Sequence, residues 1–252
     1  MRYMQLKPTM RHAIQSNGTA VVVKLLHPDT NELQILRRLH RIDSPDNHTI
    51  PLLATFKLNI GTFICVPKAT PLDIGFALGM FRNNVVDFSR QLIEGVGFLH
   101  LNGIAHLDIK PQNIVALRHQ LFIIDFDISV HVSSPNALID RWCGTPGWMA
   151  PEIGRRDGPR CSYSPIRADL WSCGRVLQYL AREGVVKEEN PFKALTWRLL
   201  NKVPQNRPLL PRRHPSQLTV GHSLSQLQRR LKRKADALPH SVKRLAICTV
   251  QP

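Results

Sequence analysis

HLDIKPQN, residues 106–113, is the stretch on which the reading of this chain turns. It gathers His106, Asp108, Lys110 and Asn113 just after a helical pattern and just before a strand pattern. Such a segment is a loop at element ends, and loops held by a rigid scaffold are where binding and catalytic groups concentrate. Asp108 offers a base, Lys110 a counter-charge for phosphate and Asn113 a metal-ligating oxygen. Asp125, seventeen residues beyond Asp108, closes the apolar run LFIID (121–125) and is expected to end a strand beside the loop. A second carboxylate there can complete an oxygen-rich site of the kind that suits Mg2+.

The flanks fall into two characters. AVVVKLL (20–26) is β-branched and apolar, and reads as a buried strand. NELQILRRLHRI (31–42) places Leu33, Leu36 and Leu39 on one helical face. IPLLATF (50–56) and TFICVP (62–67) read as paired strands around an Asn-Ile-Gly turn. Residues 1–20 are polar and mixed, with no clear period. From residue 71 helices dominate: PLDIGFALGMF, then VVDFSRQLIEGVGFLHLNG with Gly103 as its stop. IVAL (114–117) and LFIID are short strands, residues 126–164 are loop-rich, and helices are predicted over 167–183 and 192–203. The pattern predicts an α+β chain, a small strand-rich lobe followed by a larger helical one.

Taken singly, Lys24 is an ordinary surface lysine, DFD an ordinary turn and HxD a chance match. In order and spacing from about residue 20 to 208, the set resembles the eukaryotic protein kinase family. HLDIKPQN is similar to the catalytic loop H-R-D-x-x-x-x-N, and Asp125-Phe126-Asp127 to the metal motif D-F-G. Ala150-Pro151-Glu152 matches A-P-E, preceded by GTPGWM (144–149), which resembles the peptide-positioning loop of Ser/Thr kinases. Lys24 and Glu32 resemble the strand lysine and helix glutamate that pair over ATP. Asp169 resembles the aspartate that braces the catalytic loop, and Arg207 the arginine that pairs with the A-P-E glutamate. The wording of SPDNHTIPLL, IIDFD and YSPIRADLWSCG is most similar to kinase-like proteins of mushroom-forming fungi.

The resemblance implies a bilobal kinase-like fold over residues 1–208, with an N-lobe over 1–68, a C-lobe over 69–208 and a basic tail over 209–252. It implies ATP and Mg2+ as cofactors and protein Ser/Thr hydroxyls as acceptors. Asp108 would be the catalytic base and Lys110 would steady the γ-phosphoryl group. Asn113 and Asp125 would hold the metal, while Lys24, held by Glu32, would grip the phosphates. The alternative is a pseudokinase that serves as an ATP-binding or protein-binding scaffold. A kinase for small-molecule hydroxyls shares the same logic, but A-P-E and GTPGWM favour a peptide.

Four departures bear on that choice. The region before Lys24 has Gly18 alone where the family has G-x-G-x-x-G, so the phosphate-covering loop is missing or degenerate. Leu107 stands in place of the catalytic-loop arginine that binds a phosphorylated activation loop, which argues against that mode of switching. Asp127 stands in place of the D-F-G glycine and adds a carboxylate that either binds a second cation or repels the triphosphate. The interval from Glu183 to Arg207 has room for one helix where the family fits two and a long loop.

Composition sets the remaining bounds. The 252 residues are 43% hydrophobic and 21% charged, which excludes disorder along the whole chain. No apolar run approaches the ~18 residues of a membrane helix, and the start lacks a secretory h-region. Five cysteines without a CxxC pair point to an intracellular, reducing setting, cytoplasm or nucleus. Scattered histidines give no zinc motif, and His106 is expected to support the catalytic loop. The net charge of +16 raises nucleic acid as a partner, but residues 207–252 hold ten Lys/Arg against the single acid Asp236. The cluster at 229–234 is of the kind read as a nuclear signal, and a solvated basic tail is the plainer reading. No aromatics alternate with those charges, so nucleic acid is expected to bind only weakly, through the tail. The chain is expected to act as a monomer on a protein substrate.

Overall fold

A computed structural model describes residues 9–15, 18–154, 156–158, 161–185 and 190–210. The basic cluster at 229–234 lies outside the described residues. The first lobe is a four-stranded antiparallel sheet in the order β1-β2-β4-β3, formed by β1 (Met10–Ile14), β2 (Ala20–Leu25), β3 (Ala54–Leu58) and β4 (Gly61–Pro67). Helix α1 (Glu32–His40) lies between β2 and β3 in the chain. Its Ile35, Leu36 and Leu39 are buried, while Glu32 in the first turn and Arg37, Arg38 and His40 in the last complement the helix dipole.

Strand β1 was not expected from the sequence. MRHAI carries no two-residue apolar alternation, because as an edge strand it leaves Arg11 and His12 exposed. Its register comes from its partner: Met10 sits opposite Lys24 and Ile14 opposite Ala20. Strand β2 is therefore interior, and Lys24, opposite Ile64 on its other side, is buried. The expected strand at 50–56 begins only at Ala54. Its first residue and the segment before it pair elsewhere: Ile123 N–H donates to His48 O at 2.7 Å and Ile50 N–H to Ile123 O at 3.1 Å. That exchange ties the first lobe to the second.

The second lobe runs through β5 (Thr70–Pro71), α2 (Leu72–Ala77), α3 (Val85–Leu101), β6 (Ile104–Ala105), β7 (Ile114–Leu117), β8 (Gln120–Ile123), β9 (Val130–His131), α4 (Pro165–Glu183) and α5 (Lys193–Leu199). Small sheets β5-β7-β8 and β6-β9 carry the loops between them. The expected α+β order of a strand-rich lobe before a helical one is thus present. Helix α3 buries Val85, Phe88, Leu92, Val96 and Leu99 at helical spacing. Its Gly95 costs helix propensity but permits close approach: a Cβ there would lie 2.9 Å from His48 Cβ and 3.1 Å from Ile123 Cδ1. Helix α4 opens on Ser164, whose Oγ accepts the Arg167 N–H at 3.2 Å, followed by Pro165 in the first turn.

Two apolar clusters result. The larger joins α1, α3, α4 and β8; the smaller gathers Ala105, Leu107, Cys143, Ala150, Ile153, Tyr163, Ile166 and Ala168 beneath the segment that precedes α4. Phe88, wholly buried, meets the edge of Phe81 at a centroid distance of 5.3 Å. Phe88→Ala should cost about 3–5 kcal/mol of unfolding free energy, read from urea melts.

Candidate active site

The loop 106–113 is anchored at both ends. Gly103 turns the chain after α3 with φ of 66°, where a Cβ would meet Val132 O at 2.8 Å, and β6 then pairs with β9. At the other end a 3-10 turn, Pro111–Asn113, leads into β7. In between, Leu107 has φ of 67°, a left-handed conformation that is costly for a bulky residue. Asp169, wholly buried on α4, holds it there. One carboxylate oxygen accepts the Leu107 N–H at 2.7 Å; the other accepts the His106 N–H at 2.6 Å and faces His100 Nε2 at 3.2 Å.

His106 supports the loop. Its Nε2 lies 3.0 Å from the carbonyl of Ile124, which can only accept, so Nε2 carries the hydrogen. Nδ1 is then free to accept the Asp108 N–H at 3.2 Å. The imidazole thus bridges the loop 106–113 to Ile124, the residue before Asp125.

Asp108, Lys110 and Asn113 come together around one carboxylate. Lys110 Nζ donates to Asp108 Oδ2 at 2.7 Å and to Thr145 Oγ1 at 2.6 Å. The Thr145 hydroxyl in turn donates to Asp108 Oδ1 at 2.6 Å. Asn113 Nδ2 donates to Asp108 Oδ2 at 2.8 Å and to its backbone oxygen at 2.9 Å. Both oxygens of Asp108 are therefore fixed in direction while the side chain stays 15% exposed, within reach of a solvent-borne hydroxyl. Thr145 was not singled out as a site residue, although its segment, GTPGWM, was.

Lys24, Glu32 and Asp125 form the second group. Lys24 Nζ lies 2.6 Å from Glu32 Oε2, 2.7 Å from Asp125 Oδ1 and 3.1 Å from Asp127 Oδ2. Asp125 does not end a strand: β8 stops at Ile123, and Asp125 has φ of 69°, which turns its carboxylate toward Lys24. Phe126 is buried against His106, with ring centroids 4.9 Å apart, and its N–H faces Glu32 Oε1 at 3.4 Å. Burial pulls the Lys24 ammonium toward deprotonation, but the carboxylates of Glu32 and Asp125 outweigh it and its pKa is raised. Burial likewise pushes Glu32 up, against the attraction of Lys24, to about 8. Of the three carboxyl groups about the one ammonium, Glu32 is the most deeply buried.

The same imbalance tests the site for Mg2+. Glu32, Asp125 and Asp127 each offer an oxygen, all within 4.8 Å of one another, an oxygen-rich set with excess negative charge. That fits a hard divalent cation. Asn113, expected beside Asp125 as a ligand, has its amide nitrogen on Asp108; its backbone oxygen accepts the Ile124 N–H at 3.0 Å, one residue before Asp125. A glycine cradle for phosphates is not found among the described residues: Gly18 sits alone in the β1–β2 turn with φ of 79°.

Glu152 and Arg207 pair as anticipated, at 2.5 and 2.8 Å through two guanidinium nitrogens. Arg207 is wholly buried, donates to the carbonyls of Asn201 and Arg167, and stacks 5.2 Å from the Trp171 ring centre. Arg207→Ala would strand the Glu152 carboxylate and open a cavity, and should cost about 3–5 kcal/mol in denaturant unfolding.

Comparison with known proteins agrees with this geometry. The family model described as the protein kinase domain matches residues 74–222, more than half of the chain. The chain is 37% identical over 180 residues to CBL-interacting protein kinase 12 of Oryza sativa subsp. japonica, covering 70% of this chain and 32% of that protein. It is 43% identical over 88 residues to the Nik-related protein kinase of Mus musculus, covering 34% of this chain and 6% of that protein. It is 42% identical over 91 residues to the liver/testis phosphorylase b kinase gamma catalytic chain of Rattus norvegicus, covering 35% and 22%. The matched stretches thus span a third or less of these relatives' length. With its motifs in order on a two-lobed α+β fold, this chain belongs to the protein kinase family.

Proposed function

We propose that the chain phosphorylates Ser/Thr hydroxyls of proteins with ATP and Mg2+. The observation that carries this reading is the fixed carboxylate of Asp108, held by Lys110, Thr145 and Asn113 yet open to solvent. Asp108 orients the acceptor hydroxyl and takes its proton; Lys110, two residues on, steadies the charge on the transferring phosphoryl group. Lys24 holds the nucleotide's phosphates and Glu32 holds Lys24, while Asp125 and Asn113 are the proposed metal ligands. Mg2+ would supply charge neutralisation, and the protein supplies position and electrostatics. The names of the curated relatives, all kinases, support a phosphoryl-transfer role, and the segment around Thr145 supports a peptide acceptor.

Leu107 bears on regulation. Where the family pattern has an arginine, Leu107 is buried in the smaller apolar cluster with Cys143, Ile153 and Tyr163. Apolar packing thus holds the segment that a phosphate–arginine pair would otherwise order, and Ser133 and Ser134 in that segment are exposed. This supports a kinase that works without activation-loop phosphorylation. Exchanging both serines for alanine should leave transfer unchanged, whereas Leu107→Arg should lower the thermal midpoint by burying an unpaired charge.

A binding scaffold without catalysis is the second reading, favoured by the lone Gly18 ahead of Lys24. Among the described residues no helix is long and apolar enough to cross a membrane. The described cysteines are free thiols, which supports an intracellular setting. The test is γ-phosphate transfer from Mg2+-ATP to the chain itself and to a generic basic protein. Asp108→Asn should lower the rate by at least about a hundredfold, the usual worth of a positioned base. Folded wild-type protein that transfers no more than the variant would establish the scaffold instead.

A further inference from the structure

An ammonium has three N–H donors and no more. Those of Lys24 face three carboxylates, Glu32, Asp125 and Asp127, at 2.6, 2.7 and 3.1 Å. The side chain that is to grip phosphate oxygens is therefore already saturated. One carboxylate must let go before Lys24 can bind an anion. Glu32 and Asp125 are poor candidates, with side chains only 3% and 9% exposed and the two shorter contacts. Asp127 makes the longest contact, and its side chain is 35% exposed, so its carboxylate can turn into water, where hydration replaces the contact it leaves.

The backbone around Asp127 stays put when its side chain moves. The Thr30 hydroxyl donates to Asp127 O at 3.3 Å and accepts the Glu32 N–H at 3.1 Å, which ties the Asp125-Phe126-Asp127 segment to the first turn of α1. Phe126 beside it is wholly buried. The mobile part is thus the side chain alone, on a fixed base, opposite the lysine it closes.

We propose that Asp127 is a latch on Lys24: its carboxylate occupies the third lysine donor as a stand-in for a phosphate oxygen, and an incoming nucleoside triphosphate must displace it. Asp127 is then a positioning residue that acts through Lys24. It sets how strongly nucleotide binding depends on a divalent cation, because a triphosphate entering without one meets three carboxylates against a single ammonium. The cation dependence rests on the nucleotide-binding reading above; the latch on Lys24 does not.

Two measurements on wild type, Asp127→Asn and Asp127→Gly separate these points. The first is the rate at which Lys24 is reductively methylated in the nucleotide-free protein, followed by peptide mass spectrometry, with other lysines as internal controls. Loss of the latch should raise the Lys24 rate several-fold in both variants and leave the controls unchanged. The second is affinity for a fluorescent ATP analogue in Mg2+ and in EDTA. Both variants should bind more tightly in EDTA by roughly tenfold, the worth of one charge-assisted hydrogen bond, and so narrow the gap between the two conditions. An unchanged Lys24 methylation rate in folded variants would overturn the latch, whatever the nucleotide data. A raised rate with no analogue binding in any variant would uphold the latch and instead sink the nucleotide reading. Tighter binding equal in Mg2+ and EDTA would show that Asp127 competes with phosphate but does not set the cation dependence.

Discussion

The carboxylate of Asp169 is the contact on which the site depends. It is wholly buried on α4 and receives two backbone N–H groups, from His106 and Leu107, in short charge-assisted hydrogen bonds. Those bonds hold Leu107 at a positive φ that a branched side chain would otherwise abandon. The left-handed step reverses the chain so that Leu107 enters the apolar cluster below while Asp108 turns outward to Lys110 and Thr145. His106, fixed by the same carboxylate, reaches Ile124 O and so fixes the approach to Asp125. A single buried acid thereby sets the direction of two other acids more than a dozen residues apart in sequence.

The other left-handed residue of the site, Asp125, depends on Leu107. Its φ of 69° follows directly on the segment that His106 holds, and Phe126 is locked under the His106 ring. The two strained positions are coupled through an imidazole and a phenyl ring packed at a tilt of 59° in the core. Strain of this kind persists only where the surroundings over-determine it. Here the over-determination comes from α4 below, β6–β9 at the side and α1 above, through the contact of Glu32 with the Phe126 N–H.

What was legible in the sequence divides along the same line. Helices α3 and α4 were readable because a long apolar stripe leaves a 3.6-residue period, and IVAL was readable as a strand because both its faces are buried. Asp108, Lys110 and Asn113 were readable from their types and spacing, and they do converge; Lys24 and Glu32 were readable only through the family resemblance, and they lie side by side. Strand β1 was not readable, since an edge strand borrows its register from β2 and needs no pattern of its own. Nor was the end of LFIID: the apolar run continues to Ile124, but the left-handed turn at Asp125 is imposed by partners distant in sequence. The contact of Asp127 with Lys24, across more than a hundred residues, left no local trace at all.

Two buried cations show how structure and function part company in this fold. Arg207 is matched: one carboxylate, two carbonyls and an indole face surround its single charge. Such a group has nothing further to bind, and its worth is measured by what unfolds when it is removed. Lys24 is overmatched, with three carboxyl groups about one ammonium, and burial pushes the pKa of Glu32 up. A fold gains little stability from crowding like charges in a place where water could have kept them apart. The imbalance is relieved by adding positive charge and by giving the lysine a different anion, and a metal-bound polyphosphate does both at once. On the proposed reading, the excess charge around Lys24 is what a metal-bound polyphosphate would relieve, while Arg207 holds its contacts as a structural anchor.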